Sequence, residues 1–199
     1  MKLRCEGAGT EYDFSHVALV FDGTPYQDAF SQKNNKTVLE TLKHKRYAKL
    51  KNEVLTKYPE SLEKPLGLFL LELKRRKDVF YERFLNRYGD LIYSQFRIEN
   101  SSFLDSRGVY AYLVEDELKY IGRCKDSMRK RINQGYGKIY PKNCYVDGQT
   151  TNCHLNARIA AERNEVTLWF HEMELEEEIE SLEKALIREF QPPWNIQRG

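Results

Sequence analysis

Two runs of strand-forming residues, separated by only three acidic ones, constrain this chain more than any other feature. Gly108-Val109-Tyr110-Ala111-Tyr112-Leu113-Val114 and Leu118-Lys119-Tyr120-Ile121-Gly122 flank Glu115-Asp116-Glu117. A connection that short folds the two runs back on each other as an antiparallel hairpin. If Val114 pairs with Leu118, Tyr112 lies opposite Tyr120 and Tyr110 opposite Gly122. Side chains alternate along a strand, so Tyr110, Tyr112 and Tyr120 then share one face. A slip by one residue would send Tyr120 to the other face. Taken alone, three tyrosines on one sheet face read as packing.

Around the hairpin the pattern mixes helices and strands. Val166-Thr167-Leu168-Trp169-Phe170 reads as a third strand, and Glu176 to Phe190 as a final helix ended by Pro192-Pro193. Asp126 or Ser127 can cap a helix through Arg129-Lys130-Arg131-Ile132, and Thr150 or Thr151 one containing Leu155 and Ile159. Between them Gln134 to Gln149 reads as a long loop, broken by Gly135, Gly137, Pro141 and Gly148. Earlier in the chain, Val17 to Phe21 is a short strand closed by a turn at Asp22-Gly23-Thr24-Pro25. Leu39, Leu42, Leu50, Val54 and Tyr58 mark a helix stopped by Pro59. Leu70, Leu73, Phe80, Phe84 and Tyr88 mark another, with Gly89 at its C-cap. The expected organisation is a mainly helical region 1–100 followed by an α+β domain 101–199.

Charge is distributed unevenly. Residues 31–100 carry sixteen bases against nine acids and residues 101–164 eleven against seven, while both ends are acidic and the total is only +2. A basic band inside a nearly neutral protein suits a polyanion-facing surface, although solvated helix faces look the same in sequence. Clusters lie at Lys43 to Lys51 and at Lys74-Arg75-Arg76-Lys77. In the expected loop Tyr136, Lys138, Tyr140, Lys142 and Tyr145 interleave bases with aromatics, as phosphate contact and base stacking require. With 41% hydrophobic and 31% charged residues the chain has material for a core. Its longest apolar run, Leu66 to Leu71, is far short of the roughly 20 residues that cross a bilayer, and its start lacks the apolar core of a secretion signal. A soluble, intracellular, cytoplasmic protein with no membrane partner is the expectation. The four cysteines, Cys5, Cys124, Cys144 and Cys153, read as reduced thiols. Cys144, Cys153 and His154 lack zinc-site spacing.

One carboxylate stands out. At about 100° per residue, Ile179, Leu182 and Phe190 fall within about 40° of Leu186 on the final helix, and Glu183 at about 60°, between Phe190 and Ile187. Glu178 and Glu180 point away. An acid within an apolar stripe must be paired, protonated or ligating a metal. Helical geometry leaves a structural role, paired with an arginine across the core or snorkelling from the stripe edge, and a functional one such as metal ligation equally open.

Gly108-Val109-Tyr110, ten residues before Tyr120-Ile121-Gly122, resembles the signature of the GIY-YIG nuclease family, with Val109 for the middle isoleucine. Arg131, followed by Ile132, resembles the family's arginine on the next helix. Leu182-Glu183-Lys184-Ala185-Leu186-Ile187-Arg188 and Pro192-Pro193-Trp194-Asn195 resemble its closing motif. The resemblance spans residues 107–196 and its elements occur in the family's order. There are departures. The spacing from Gly122 to Arg131 is about one residue longer than usual, which leaves Arg129 as a competitor. Gly135 also stands where the family often has His or Tyr, with Tyr136 next to it and Lys138 a further contributor.

The resemblance implies a small three-stranded antiparallel sheet flanked by helices, and a metal-dependent endonuclease. Glu183 would bind Mg²⁺ or Mn²⁺, Arg131 would grip the phosphate, and Tyr110 would take a proton from water, its pKa lowered by Mg²⁺ and Arg131. Tyr120 and Tyr136 would position water or phosphate, and Asn195 would lie near the site. A single hard carboxylate suits Mg²⁺, and a rigid guanidinium fork suits a phosphate. Extra chain before rather than after the nuclease motifs favours a type II restriction-like enzyme over a homing or repair one. Residues 1–100 would then serve DNA recognition, dimer contact or both. One active centre per chain implies a possible homodimer on double-stranded DNA. DNA contacts are expected from Lys138, Tyr140, Lys142, Asn195, Lys74, Arg75, Arg76 and Lys77. The alternatives are a DNA-binding or partner-binding module without catalysis, or a repair- or homing-type nuclease of this kind.

Overall fold

The computed structural model describes residues 1–5 and 10–196. The strands are β1 Lys2–Cys5, β2 Thr10–Asp13, β3 Ser15–Val17, β4 Leu19–Tyr26, β5 Tyr93–Ile98, β6 Gly108–Val114, β7 Glu117–Cys124 and β8 Val166–Glu172. The α-helices are α1 Val38–Leu42, α2 Lys51–Lys57, α3 Leu66–Arg75, α4 Ser101–Leu104, α5 Thr150–Ala161 and α6 Glu176–Phe190. Short 3₁₀ turns and one wide π-type helix, Arg129–Tyr136, complete a mixed α+β chain. Among the described residues no helix is long and apolar enough to cross a membrane.

The chain divides into two compact units that do not follow a break at residue 100. One comprises residues 1–23, 94–138 and 158–199, the other residues 24–93 and 139–157. The described residues before Gly23 form strands rather than helices, which corrects the expected mainly helical start. Residues 139–157 join the second unit because Tyr145 and Cys144 bury into its core with Phe30, Phe84 and Tyr93, and Tyr145 Oη donates to the Phe30 carbonyl at 2.9 Å.

In the first unit a four-stranded antiparallel sheet runs in the order β3-β8-β6-β7. The expected three strands are present, and β3 adds a fourth by pairing Ser15 with Phe170 and Val17 with Leu168. The expected strand at Val17–Phe21 is split at Ala18, and β4 runs on through the expected turn at Asp22–Pro25. The hairpin register matches expectation where the tyrosines lie, with Tyr112 opposite Tyr120 and Tyr110 opposite Gly122. Toward the loop the register shifts, and Val114 pairs with Glu117 rather than Leu118. Glu115 and Asp116 both take positive φ (48° and 66°), so the loop is a tight two-residue turn with an irregularity behind it.

Alternation along β6 separates two cores. Val109, Ala111 and Leu113, with Ile121 of β7, pack beneath Ile179, Leu182 and Leu186 of α6. Each of those helix side chains contributes about 1.5–3 kcal/mol on burial. Tyr110 and Tyr112 face the other way and are fully buried, as are Ile132 and, nearly so, Tyr136 of the π-helix. β7 is one edge of the sheet. Trp194 N donates to the Lys119 carbonyl at 2.9 Å, and Asn195 exchanges two hydrogen bonds with Ile121 (3.0 and 2.8 Å). The segment after α6 thus satisfies backbone groups that an open edge would leave exposed.

The second unit is a cluster of short helices around aromatic side chains. The helix expected over Asn35–Tyr58 is broken. A Thr37–Glu40 capping box starts α1, and after Leu42 His44 Nδ1 accepts from Arg46 N and opens a 3₁₀ stretch, Lys45–Leu50. The next expected helix ends early, at Arg75. Lys77 takes the left-handed conformation (φ 60°) and Asp78 N donates to the Leu73 carbonyl, a Schellman cap that replaces the expected Gly89 cap.

Candidate active site

Four phenols and a guanidinium gather on the face of the hairpin opposite α6. Tyr110 of β6 and Tyr120 of β7 lie with ring centroids 6.0 Å apart, and Tyr112 packs edge-on to Tyr110 at 6.0 Å. Arg131 Nε donates to Tyr110 Oη at 2.9 Å, and its guanidinium lies 5.5 Å from the Tyr136 ring centroid. Tyr112 and Tyr136 share a hydrogen bond of 2.9 Å. Gly122 makes the arrangement possible, because a Cβ there would come within 2.6 Å of Tyr110 Cζ and Oη.

The π-winding explains how Arg131 and Tyr136 meet. In an α-helix residues four apart share a face, and that position is Gly135. Here Gly137 N bonds back to the Ile132 carbonyl, five residues away, so the turn is wider and Tyr136 comes round to Arg131. The backbone kinks at Gly135 (ψ −114°). The sequence alone spoke for a helix ending near Ile132 and a loop from Gln134. Arg129, the competing arginine, faces elsewhere and holds Asp105 with two bonds of 3.0 Å.

Burial dominates the phenols. It pushes Tyr110, Tyr112 and Tyr136 well above the ordinary tyrosine value, with the Arg131 charge pulling back only in part. Arg131 thus acts on Tyr110 in the expected direction, but burial outweighs it. Tyr120 is raised as well, by burial first, and the Glu183 charge pushes it further up.

Glu183 is held in place. Its side chain is 17% exposed, and Oε2 lies 2.7 Å from Arg123 Nη1. Burial raises its carboxyl, while Arg123 and then Arg131 draw it down. The charge of Glu183 therefore acts on Tyr120 and that of Arg131 on Glu183, although α6 covers the opposite face of the sheet. β7 is an edge strand, and α6 packs against it. Arg123 had no part in the sequence reading. Its signal was alternation, which puts it on the same face as Ile121, under α6. Glu180, off the apolar stripe, lies 3.6 Å from Arg123 as well.

Arg131 differs from Arg123 in one respect. Among the described residues no carboxylate comes within ion-pairing distance of it, so its partners are neutral phenols. A half-buried cation in that setting is costly unless an anion joins it.

The proposed DNA contacts fall in different settings. Lys138 is exposed in the first unit. Tyr140 and Lys142 are exposed in the second unit, as are Arg75, Arg76 and Lys77. Lys74 is not a free cation. Its Nζ lies 2.6 Å from both Asp28 and Asp90, an internal tie of the second unit. Asn195 binds the Ile121 backbone through its amide, which seals the β7 edge. The second unit holds sixteen bases against ten acids, the first sixteen against twenty.

Among the described residues no group of three or more His, Cys, Asp or Glu is arranged to hold a metal ion. A cation here would rest on Glu183 alone, and a hard carboxylate of low exposure fits a cation that keeps several of its waters. Comparison with models of known protein families, with curated proteins and with solved structures gave no match in any of the three.

Proposed function

We propose that this chain is a metal-dependent endonuclease of the GIY-YIG type that hydrolyses DNA phosphodiester bonds, acting on double-stranded DNA as a restriction-like enzyme. The observation that carries this reading is Arg131, a half-buried guanidinium bonded to Tyr110 and ringed by phenols, with no carboxylate of its own. A phosphodiester supplies the missing negative charge. The terminal donors of Arg131 would take its oxygens, more strongly as charge builds in the transition state.

The other residues act around that contact. Glu183 would hold Mg²⁺ or Mn²⁺, which when bound supplies a Lewis acid for a phosphate oxygen and positive charge for the leaving oxygen. Tyr110 is a neutral phenol at neutral pH, and its oxygen already accepts from Arg131. It would orient the attacking water, whose proton would leave to a phosphate oxygen, rather than standing as a phenolate base. Tyr120 lies beside it, and Tyr136 is fixed by Tyr112. The basic second unit supplies sequence-independent affinity for the DNA backbone. A two-fold dimer would bring two such centres to one site.

Incubation with plasmid DNA in Mg²⁺ or in EDTA tests this. The wild type is expected to cut only with Mg²⁺, and Glu183→Ala to bind DNA without cutting. Cutting by Glu183→Ala would remove the metal assignment. One observation favours the second reading, a DNA-binding module without catalysis. The Arg123–Glu183 pair already gives the acid a structural partner. DNA binding by the wild type with no cleavage in Mg²⁺ or Mn²⁺ would select it.

A further inference from the structure

We infer that Arg123 is the occupant a divalent cation must displace from Glu183, and that Glu180 is the second partner that receives it. The inference rests on the reading of Glu183 as a metal ligand. Arg123 follows Gly122 on β7 and faces α6. There Nη1 lies 2.7 Å from Glu183 Oε2, and Nη2 lies 3.6 Å from Glu180 Oε2. The two glutamates are three residues apart on one helix, so a single guanidinium spans them.

The two positions are unequal. The Glu183 side chain is 17% exposed and that of Glu180 is 35% exposed. Glu180 also faces Lys184 at 2.8 Å and Lys125 at 3.4 Å, and Lys125 in turn holds Glu176. Arg123 thus rests on the sheltered acid and stands within reach of a wetter, shared one. Without a cation, the guanidinium compensates a carboxylate that burial would otherwise penalise. With a dication at Glu183, two positive groups compete for one carboxylate, and Glu180 keeps the displaced guanidinium paired. Arg123 is a positioning residue in this scheme, and it holds down cation affinity until the site is used.

Mn²⁺ binding to the full chain, followed by electron paramagnetic resonance, tests the inference on wild type, Arg123→Gln, Arg129→Gln and Glu183→Gln. Arg129, exposed and paired with Asp105, removes the same charge from the same unit and controls for the general field. Arg123→Gln is expected to bind Mn²⁺ about tenfold more tightly, as loss of a close competing charge implies. Arg129→Gln should stay within about twofold, since exposed pairs act weakly. Glu183→Gln should lose binding. Equal shifts in Arg123→Gln and Arg129→Gln, no shift in either, or weaker binding in Arg123→Gln would each overturn the displacement scheme. Failure of both wild type and Arg123→Gln to bind Mn²⁺ would instead bring down the metal reading, and this inference with it. If circular dichroism shows Arg123→Gln unfolded, Arg123→Met keeps the packed stem and takes its place.

Discussion

Alanine at Gly122 is the sharpest test of how the phenol cluster is built, because a methyl group there has nowhere to go. The added Cβ would lie 2.6 Å from Tyr110 Cζ, from Tyr110 Oη and from Tyr120 Cε1, whereas ordinary contact begins near 3.4 Å. The rings must therefore retreat by about 0.8 Å, in a core with little free space. Tyr110 cannot do so cheaply. It is fully buried, packed edge-on to Tyr112 and stacked with Tyr136 at 6.3 Å, and bonded to Arg131 at 2.9 Å. Overpacking of this kind costs about 1–3 kcal/mol. A misplacement of about 1 Å at a reacting centre costs on the order of 100-fold in rate. Gly122→Ala is thus expected to fold, to shift its urea midpoint by that stability loss with an unchanged slope, and to cleave DNA about 100-fold more slowly in single turnover. Two results would refute the reasoning: wild-type cleavage, or a rate that falls only in proportion to the folded fraction.

The remaining tests concern charge. Lys74→Met should destabilise the second unit by about 1–2 kcal/mol by leaving Asp28 and Asp90 facing each other, without altering the salt dependence of DNA binding. Neutralising Arg75, Arg76 and Lys77 together should do the reverse, lowering the slope of log affinity against log salt by about 0.9 per lost phosphate contact; an unchanged slope would assign them to solvated surface. In alkali, burial and the bond to Asp90 push Tyr81 up to about 12 from an ordinary 10.0, so the folded state keeps a proton that the unfolded chain has released. That contribution, at most about 2–3 kcal/mol, is complete below the ordinary value and disappears as pH rises through the folded one, and a Tyr81→Phe variant that loses stability in parallel with wild type would show the account wrong. Arg131→Met should abolish cleavage while leaving urea stability unchanged or higher; a loss above about 2 kcal/mol would mean that the guanidinium serves the fold.

The parts of the fold that sequence made legible are those specified locally. Strand formers at period two, with a tight acidic turn, define the hairpin, and the amphipathic stripe ending before Pro192 defines α6 to the residue. The misses follow from distance. β3 exists because Ser15–Val17 pairs with β8, about 150 residues away, and nothing in Ser-His-Val announces it. The division of the chain was invisible for the same reason, since residues 139–157 join residues 24–93 through side chains such as Tyr145 that look like loop aromatics in sequence. The hairpin loop was misread because Glu115 and Asp116 both occupy the left-handed region, where turn rules anticipate Asn or Gly.

The candidate site divides along similar lines, and the division bears on function. An acid in an apolar helix stripe requires a partner, and so does an arginine on the core face of a strand. Glu183 and Arg123 each satisfy the other's requirement, and a protein with no catalytic role could contain the pair. The pair therefore argues little about activity. Arg131 is not explained in this way. The kink at Gly135 brings a second aromatic, Tyr136, to its guanidinium, and its hydrogen bond goes to the Tyr110 phenol rather than to a carboxylate. A fold selected only for stability would replace that side chain with an apolar one of similar length. Glu183 already has Arg123 as its ion-pair partner, whereas Arg131 is bonded to a neutral phenol, and it is this second setting that the proposed phosphodiester contact would use.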